Sequence, residues 1–367
     1  MKFAVSREAL LRPLQLVAGV VERRQTLPVL SNLLLSVDGN TLSMTGTDLE
    51  VQLVARVELS QAPESGGEIT VPARKLVDIW RALPEGCDVE FNLDDQRAVL
   101  RSGRSRFQLA TLPASEFPSI DEGAMELELT LAQEQLRHLI DRTSFSMAQQ
   151  DVRYFLNGML LEVEPEHVRT VATDGHRLAM CTLTPGSGEG RQQVIVPRKG
   201  VLELSRLLSE GDEPVSLVVG TNHLRADVGP YSFTTKLVDG KFPDYDRVVP
   251  KGGTREVLGD RLLLREAFQR TAILSNEKYR GVRITLGPDS LTVQANNPEQ
   301  EEAEESVPVQ FTAEALEIGF NVSYLLDALG VIETDQVKIT VSDANSSALV
   351  EEPEGGDSLY VVMPMRL

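Results

Sequence analysis

Asp174, His176 and Arg177 stand within four residues of one another in the stretch RTVATDGHRL, residues 169–178. A carboxylate, an imidazole and a guanidinium on one short turn are the parts of an acid/base site, because an aspartate can orient a histidine whose pKa lies near neutrality. GSGEG at 186–190 is a second candidate, a glycine-rich stretch of the kind that cradles phosphate. Neither meets the further demands of catalysis. The chain has only 4 histidines, no GxSxG or HExxH, and no GK[ST] after GSGEG. Cys87 and Cys181 stand far apart and match neither a disulfide framework nor a metal motif, so both read as reduced thiols. No catalytic residue, metal or cofactor is expected.

Elements that recur three times must position these residues. Each third opens with a short strand and an amphipathic helix. In the first, Ser6 is the N-cap and Leu10, Leu14, Val17 and Val21 form the apolar stripe, with Pro13 expected to kink or weaken the helix. In the second, Thr130 and Gln133 have the spacing of a capping box ahead of Leu136, Leu139 and Ile140. In the third, Asp260 caps a helix bearing Leu264, Ala267 and Phe268. A strand, a tight polar turn and an alternating strand follow each helix, starting at Asn32, Asn157 and Arg280. Thr47-Asp48, Thr173-Asp174 and Asn296-Asn297 fall at equivalent places, which makes RTVATDGHRL the middle copy of a repeated strand and turn.

The second half of each third runs from a strand into a helix: ITVPARKLVDIWRAL, VIVPRKGVLELSRLL and IGFNVSYLLDAL. Pro72 and Pro197 suit the first helical position, where a missing N–H costs nothing. The pattern is six similar β-α-β-β-β units, two per third. It predicts an α+β fold with helices on antiparallel sheets and three domains, 1–125, 126–251 and 252–367.

At 367 residues, with 41% hydrophobic and 25% charged residues, the chain has material for two or three real cores. Neither a leader peptide nor an apolar run of membrane-spanning length is visible, so the reading is cytoplasmic with no membrane contact. The net charge of −19 opposes non-specific nucleic-acid binding, so any DNA contact must be local or topological. Residues 251–367 carry 10 Lys/Arg against 20 Asp/Glu and hold the run Glu299, Glu301, Glu302, Glu304 and Glu305. The first third holds Arg97, Arg101, Arg104 and Arg106 beside Phe107 and Leu109. On composition alone the acidic run reads as a solvated surface loop, but an acidic segment and a basic strand are also what a heterologous contact between copies needs.

A set of motifs in one order covers the whole chain: LPVLSNLLL, SMTGTDLE, VPARK, RSGRSRF, DVRYFLNGM, TVATDGHRLA, VIVPRKGV, KLVDGKFPDY, AILSNEKYRGVR, NNPEQEEAEE, EIGFNVSYLLD and the terminal YVVMPMRL. In these the sequence resembles the bacterial DNA polymerase III beta subunits, the replicative sliding clamps. The resemblance implies a head-to-tail homodimer of three-domain "DNA clamp" chains, a ring with helices inside and sheets outside, closed around duplex DNA. Helix geometry agrees with two chains: at about 10 Å per helix, six in a circle leave a hole of about 9 Å and twelve leave nearly 30 Å.

The resemblance also implies site residues. A partner-peptide pocket is expected from Leu156, Thr173, Gly175, His176, Arg177 and Leu178 in the middle third, with Pro243, Arg247 and Val248 closing it. Asn321, Tyr324, Ser347, Val361, Met363, Pro364, Met365 and Arg366 complete it from the last third. Its ligands would be short leucine- and phenylalanine-containing peptides of the DNA polymerase III alpha subunit, the clamp loader, translesion and repair polymerases, mismatch-repair proteins and initiation-control proteins. Arg24, Gln150 and Tyr154 are implied DNA contacts. Arg74-Lys75 and Arg198-Lys199, in the first turns of two helices, are read as facing phosphates. Lys75, Phe107, Leu109, Ile273 and Leu274 are implied at the dimer contact, joined by the charges of Arg97, Arg104, Arg106 and Glu299, Glu301, Glu302, Glu304. The reading is a non-enzymatic processivity factor acting at the nucleoid during replication. The alternative is an acidic repeat adaptor that binds peptides without encircling DNA. In either case His176→Ala should weaken partner binding and leave a dimer intact.

Overall fold

Alternation of apolar and polar residues, broken by short polar turns, forces strands whose alternate side chains go inward. In the computed structural model, which describes every residue except 23–25, 121–122, 185–189 and 367, the strand pairs are antiparallel and six α-helices accompany them. The helices are α1 (Arg7–Val20), α2 (Ala73–Ala82), α3 (Gln133–Asp141), α4 (Arg198–Ser205), α5 (Arg261–Ala272) and α6 (Val322–Val331). The α+β class holds. Among the described residues no helix is long and apolar enough to cross a membrane.

Contacts divide the chain into two units: Met1–Arg137 with Lys199–Leu237, and His138–Arg198 with Val238–Leu367. The middle third of the sequence thus lends one part to each. Strand pairing is the reason. In unit 1, strand Val51–Glu58 pairs with Tyr231–Lys236, and an eight-stranded sheet forms beside a four-stranded one among the described residues. In unit 2, strand Arg177–Leu183 pairs with Ser358–Val362 inside a twelve-stranded sheet that ends at Gln192–Pro197 on one side and Leu316–Asn321 on the other. Unit 2 buries Leu264, Phe268, Phe320, Leu325 and Tyr360 in one core cluster and Leu160, Val171, Leu178 and Val361 in a second.

Local expectations met tertiary structure with mixed results. Ser6 caps α1 through its hydroxyl, 3.2 Å from Ala9 N, and Asp260 caps α5 at 2.9 Å from Leu263 N. Helix α1 continues through Pro13, and its buried stripe ends on Val20, with Val21 serving as C-cap. Thr130 makes no capping box. It pairs with Ser216 inside strand Met125–Ala132, so the helix begins later, and Gln133 Oε1 accepts from Ser209 N at 2.8 Å. Pro72 and Pro197 likewise close strands, opposite Asn32 and Gly158, one position before the helices they were expected to start.

Candidate functional site

The middle turn is held by its own threonine and aspartate. Thr173 Oγ1 donates to Arg177 O at 2.6 Å and accepts from Gly175 N at 3.1 Å. Asp174 Oδ1 accepts from His176 N at 2.9 Å and Arg177 N at 3.1 Å. The first copy repeats this bond for bond. Thr47 Oγ1 donates to Val51 O at 2.9 Å and accepts from Leu49 N at 3.1 Å, while Asp48 Oδ1 accepts from Glu50 N and Val51 N at 2.9 and 2.7 Å. The third residue of each turn is left-handed, Leu49 at φ 77° and Gly175 at φ 88°. Asn296-Asn297 departs from the pattern. Thr47 pairs with Gln52 and Thr173 with Leu178, but Asn296 pairs with Glu302, one residue further on, and Asn297 bonds Glu301.

An acid/base role for Asp174 and His176 fails on geometry. Both oxygens of Asp174 are taken, Oδ1 by the turn and Oδ2 by Arg177 Nε at 3.1 Å, while the backbone of His176 is bonded and its exposed side chain points to solvent. GSGEG falls at 186–190, and residues 186–189 lie outside the described residues.

The turn forms one wall of a cavity of about 290 Å³ in unit 2, lined by Arg153, Phe155, Leu156, Thr173, Gly175, Arg177, Pro243, Val248, Val361 and Met363. Its lining is chiefly apolar, with Leu178 and Val361 buried in the core cluster next to it. The terminal segment is held as far as Met365: Met363 N donates to His176 O at 3.0 Å and Met365 N to Gly319 O at 2.9 Å. Gly175 adopts φ 88°, a conformation that favours glycine, and a Cβ there would stand 2.9 Å from the end of the Arg153 side chain. That guanidinium is itself held by Asp151, Nε to Oδ1 at 3.0 Å and Nη2 to Oδ2 at 2.9 Å, an ion pair that pushes the Asp151 carboxyl down to about 2.

Arg177 was expected to offer its fork to a ligand. Instead the fork is engaged within the protein by Asp174, Asp327 and Phe145 O, the last at 2.7 Å. The guanidinium carbon also lies 4.6 Å from the Tyr324 ring centroid and 5.6 Å from that of Phe145. Arg177 is a strut, and Tyr324 serves the cavity by stacking under it. Burial, with the nearby Asp174 carboxylate, raises the Tyr324 hydroxyl above its usual pKa.

A second hollow, about 710 Å³, shares Val248 with the first and is lined by Arg247 and Ser347 among polar residues. Arg247 is paired with Asp244 at 2.8 Å, and Asn321 uses its side chain to cap α6 at Ser323 N, 2.9 Å. Pro364 and Met365 are half-buried along the terminal segment, and Arg366 is exposed. A third hollow, about 730 Å³, surrounds Glu162, whose oxygens already accept from Tyr245 at 2.9 Å, Arg169 at 3.2 Å, His167 at 2.9 Å and Gln193. Its central carboxylate is therefore already engaged, whereas the smaller cavity is chiefly apolar.

Comparison with known proteins decides what carries this cavity. Models of the DNA polymerase III beta subunit match the chain as N-terminal domain at residues 1–121, central domain at 130–244 and C-terminal domain at 246–366. The beta sliding clamp of Pseudomonas aeruginosa is 64% identical over the full length of both chains, and that of Escherichia coli K12 is 54% identical over the same extent. A crystal structure of a P. aeruginosa sliding clamp bound to griselimycin superposes with a TM-score of 0.97 at 63% identity, with both chains fully covered.

The chain belongs to the beta sliding clamp family.

As a sliding clamp of DNA polymerase III it acts in replication as a processivity factor. Its residues expected at DNA are spread over both units. Arg74 and Lys75 are exposed at the start of α2 and form no ion pair with the described residues, while Arg24 lies outside the described residues. Gln150 is exposed with φ 56°, Tyr154 is 58% exposed, and Arg198 donates to Met147 O at 3.2 Å. Lys199 departs from expectation. It is half-buried and donates to Asp48, to Glu22 at 2.9 Å and to Val20 O at 3.2 Å, because the Asp48 carboxylate, 5% exposed, needs a cation. Burial alone would raise the Asp48 carboxyl, but Lys199 and the turn's N–H groups hold it below its ordinary value.

The clamp residues expected at a dimer contact also have definite places. Strand Ser105–Ala110 is the edge of the four-stranded sheet and carries exposed Arg106 and half-buried Phe107, while Leu109 is 7% exposed in the single chain. Arg97 and Arg104 are exposed, and Lys75 is exposed on α2. In unit 2, Ile273 at the end of α5 is 74% exposed with Leu274 half-buried beside it. Glu299, Glu301, Glu302 and Glu304 are exposed, whereas Glu305 is held by Arg270 through contacts of 2.6 and 2.7 Å.

Arg153 and Phe155 are cavity residues that the sequence did not point to. They lie in the irregular stretch before Asn157, Arg153 just ahead of and Phe155 within a one-turn 3-10 helix at Tyr154–Leu156 with no periodicity to read.

Proposed function

We propose that two copies of this clamp close head to tail into a ring that encircles duplex DNA without sequence preference, and that the cavity behind Gly175 receives partner peptides. The observation that carries ring closure is a pair of unfilled strand edges. Arg101 and Arg106 stand directly opposite one another on the edge hairpin of unit 1, a like-charge pairing that disfavours the hairpin unless anions approach. In unit 2, strand Glu302–Gln310 meets its second neighbour only at Val309 and Gln310, which leaves its acidic half open among the described residues. Such edges pair readily with another chain. Arg97, Arg104 and Arg106 would face Glu299, Glu301, Glu302 and Glu304, with Phe107, Leu109, Ile273 and Leu274 forming the apolar centre beside Lys75.

In this reading the three clamp domains divide at 125/126 and 251/252. DNA is met loosely by Arg24, Arg74, Lys75, Gln150, Tyr154 and Arg198, while Lys199 braces the turn at Asp48. The peptide cavity takes leucine and phenylalanine side chains from the polymerase III alpha subunit, the clamp loader, translesion and repair polymerases, mismatch-repair and initiation-control proteins. No reaction is catalysed. The protein works in the cytoplasm at the nucleoid. Retention on circular duplex but escape from linear duplex is the expected outcome, and equal loss from both would favour a peptide adaptor that never encircles DNA. Charging Ile273 and Leu274 together should give a folded monomer by ultracentrifugation, and a dimer persisting at low concentration would remove those residues from the interface.

A further inference from the structure

A cluster of potential metal ligands lies apart from the cavity, in unit 2, and is built on one row of the sheet. Thr170 is the register partner of Cys181, and Cys181 of Ser358, so the three side chains share a face across neighbouring strands. The end of α3 is fastened over that row. Thr170 Oγ1 donates to Leu139 O at 2.9 Å, and Thr143 Oγ1 donates to the same carbonyl at 2.7 Å. His138, next to Leu139, is thereby fixed near Cys181. Thr182 N donates to Asp357 O at 2.7 Å and holds the approach to the last strand alongside. His138 Nε2 lies 2.8 Å from Asp357 Oδ2, and the ligand atoms of His138, Cys181 and Asp357 all lie within 4.8 Å of one another.

We propose that His138, Cys181 and Asp357 bind a borderline-soft divalent metal ion, Zn²⁺ first among them, with water as the fourth ligand. Thiolate, imidazole and carboxylate are the three donor types that Zn²⁺ takes, at bond lengths of about 2.0–2.3 Å. A tetrahedron of those bonds sets its donors roughly 3.3–3.7 Å apart, so closing the site needs only small side-chain rotations. The side chains of His138 and Asp357 are 30% and 38% exposed, which gives an ion an entrance, and Cys181 is buried at the floor. Ser358 Oγ donates to Asp357 Oδ1 at 2.7 Å and leaves Oδ2 for the metal, the kind of outer support that orients ligands. Tyr360, two residues along the same face from Ser358, is 2% exposed. The nearby cation Arg142 is engaged by Glu333 at 3.0 Å. The other ligand-like cluster, Glu162, Glu164 and His167, is a poor rival, since both oxygens of Glu162 already accept hydrogen bonds from the surrounding side chains.

Bound metal would tie α3 to two strands and stabilise the folded chain by linkage. The test uses the full-length protein, stripped with EDTA, dialysed, and titrated with CoCl₂ and then ZnCl₂. One Co²⁺ per chain is expected, with a thiolate-to-cobalt charge-transfer band that Zn²⁺ abolishes and a Zn²⁺-dependent rise in Tm. Cys181→Ser should lose the band. His138→Gln and Asp357→Asn, at half-exposed positions that keep the test valid if Cys181→Ser fails to fold, should each weaken binding by roughly 100-fold. Cys87→Ser and His167→Gln should leave the band and the affinity unchanged. No band at stoichiometric cobalt, a band that survives both His138→Gln and Asp357→Asn, or one lost with Cys87→Ser would overturn the assignment.

Discussion

The turns at Thr47–Val51 and Thr173–Arg177 share every backbone-directed hydrogen bond and a left-handed third residue, yet one exposes Leu49 and the other lines a cavity. The difference lies in two substitutions on one scaffold. The first turn has Leu49 at the left-handed position and takes its cation, Lys199, from a helix distant in sequence. The second has Gly175 there and supplies its own cation, Arg177, which stacks on Tyr324. At the second turn the Arg153 guanidinium stands where a Cβ at residue 175 would project, and Arg177 reaches Asp327 and Tyr324 on α6. On the proposed reading, the second copy of the repeat differs from the first in lining the peptide cavity.

Variants that break one turn and not the other sharpen this contrast. Asp174→Ala should have the largest effect, because it removes the acceptor of two N–H groups and one anion of the half-buried Arg177. A loss of about 3 kcal/mol in urea denaturation is expected, together with weaker peptide binding. Lys199→Met should cost about 2 kcal/mol by leaving Asp48 buried without its cation, and should leave peptide affinity unchanged. The pH dependence follows from the lowered Asp48 carboxyl. Its stabilisation is fully present above its unfolded pKa of about 3.9 and is lost as pH falls through the lower folded value. In Lys199→Met burial remains without the cation, so denaturation curves across pH should show a smaller loss of stability on acidification than in the unaltered protein. His176→Ala should be the mildest, roughly threefold in peptide affinity with the dimer intact, since the residue serves the site mainly through its backbone.

Much of this was legible in the sequence where local chemistry decides the outcome. Ser6 and Asp260 cap helices as their positions dictate, and Thr-Asp at the end of an alternating strand forms the same turn twice because its side chains bond only within the turn. Long-range pairing overrode the rest. Thr130 belongs to a strand because Ser216 is its partner, and the third turn took an extra residue before its strands paired. Arg177 and Lys199 stand out in the sequence as cations, but their anions, Asp327 and Asp48, come from distant segments and engage the charge within the chain. His138, Cys181 and Asp357 have no mutual spacing to read, and only the register of three strands and one helix end brings them together.

The central claim, that Gly175 is what turns a structural repeat into a receptor, is tested most directly by exchanging the third residues of the two turns. A short leucine- and phenylalanine-containing peptide would be titrated calorimetrically into the unaltered protein, Gly175→Leu and Leu49→Gly. The account predicts a loss of about 100-fold, about 2.7 kcal/mol, for Gly175→Leu and no change for Leu49→Gly. Unaltered binding in Gly175→Leu, or equal losses in both variants, would contradict it.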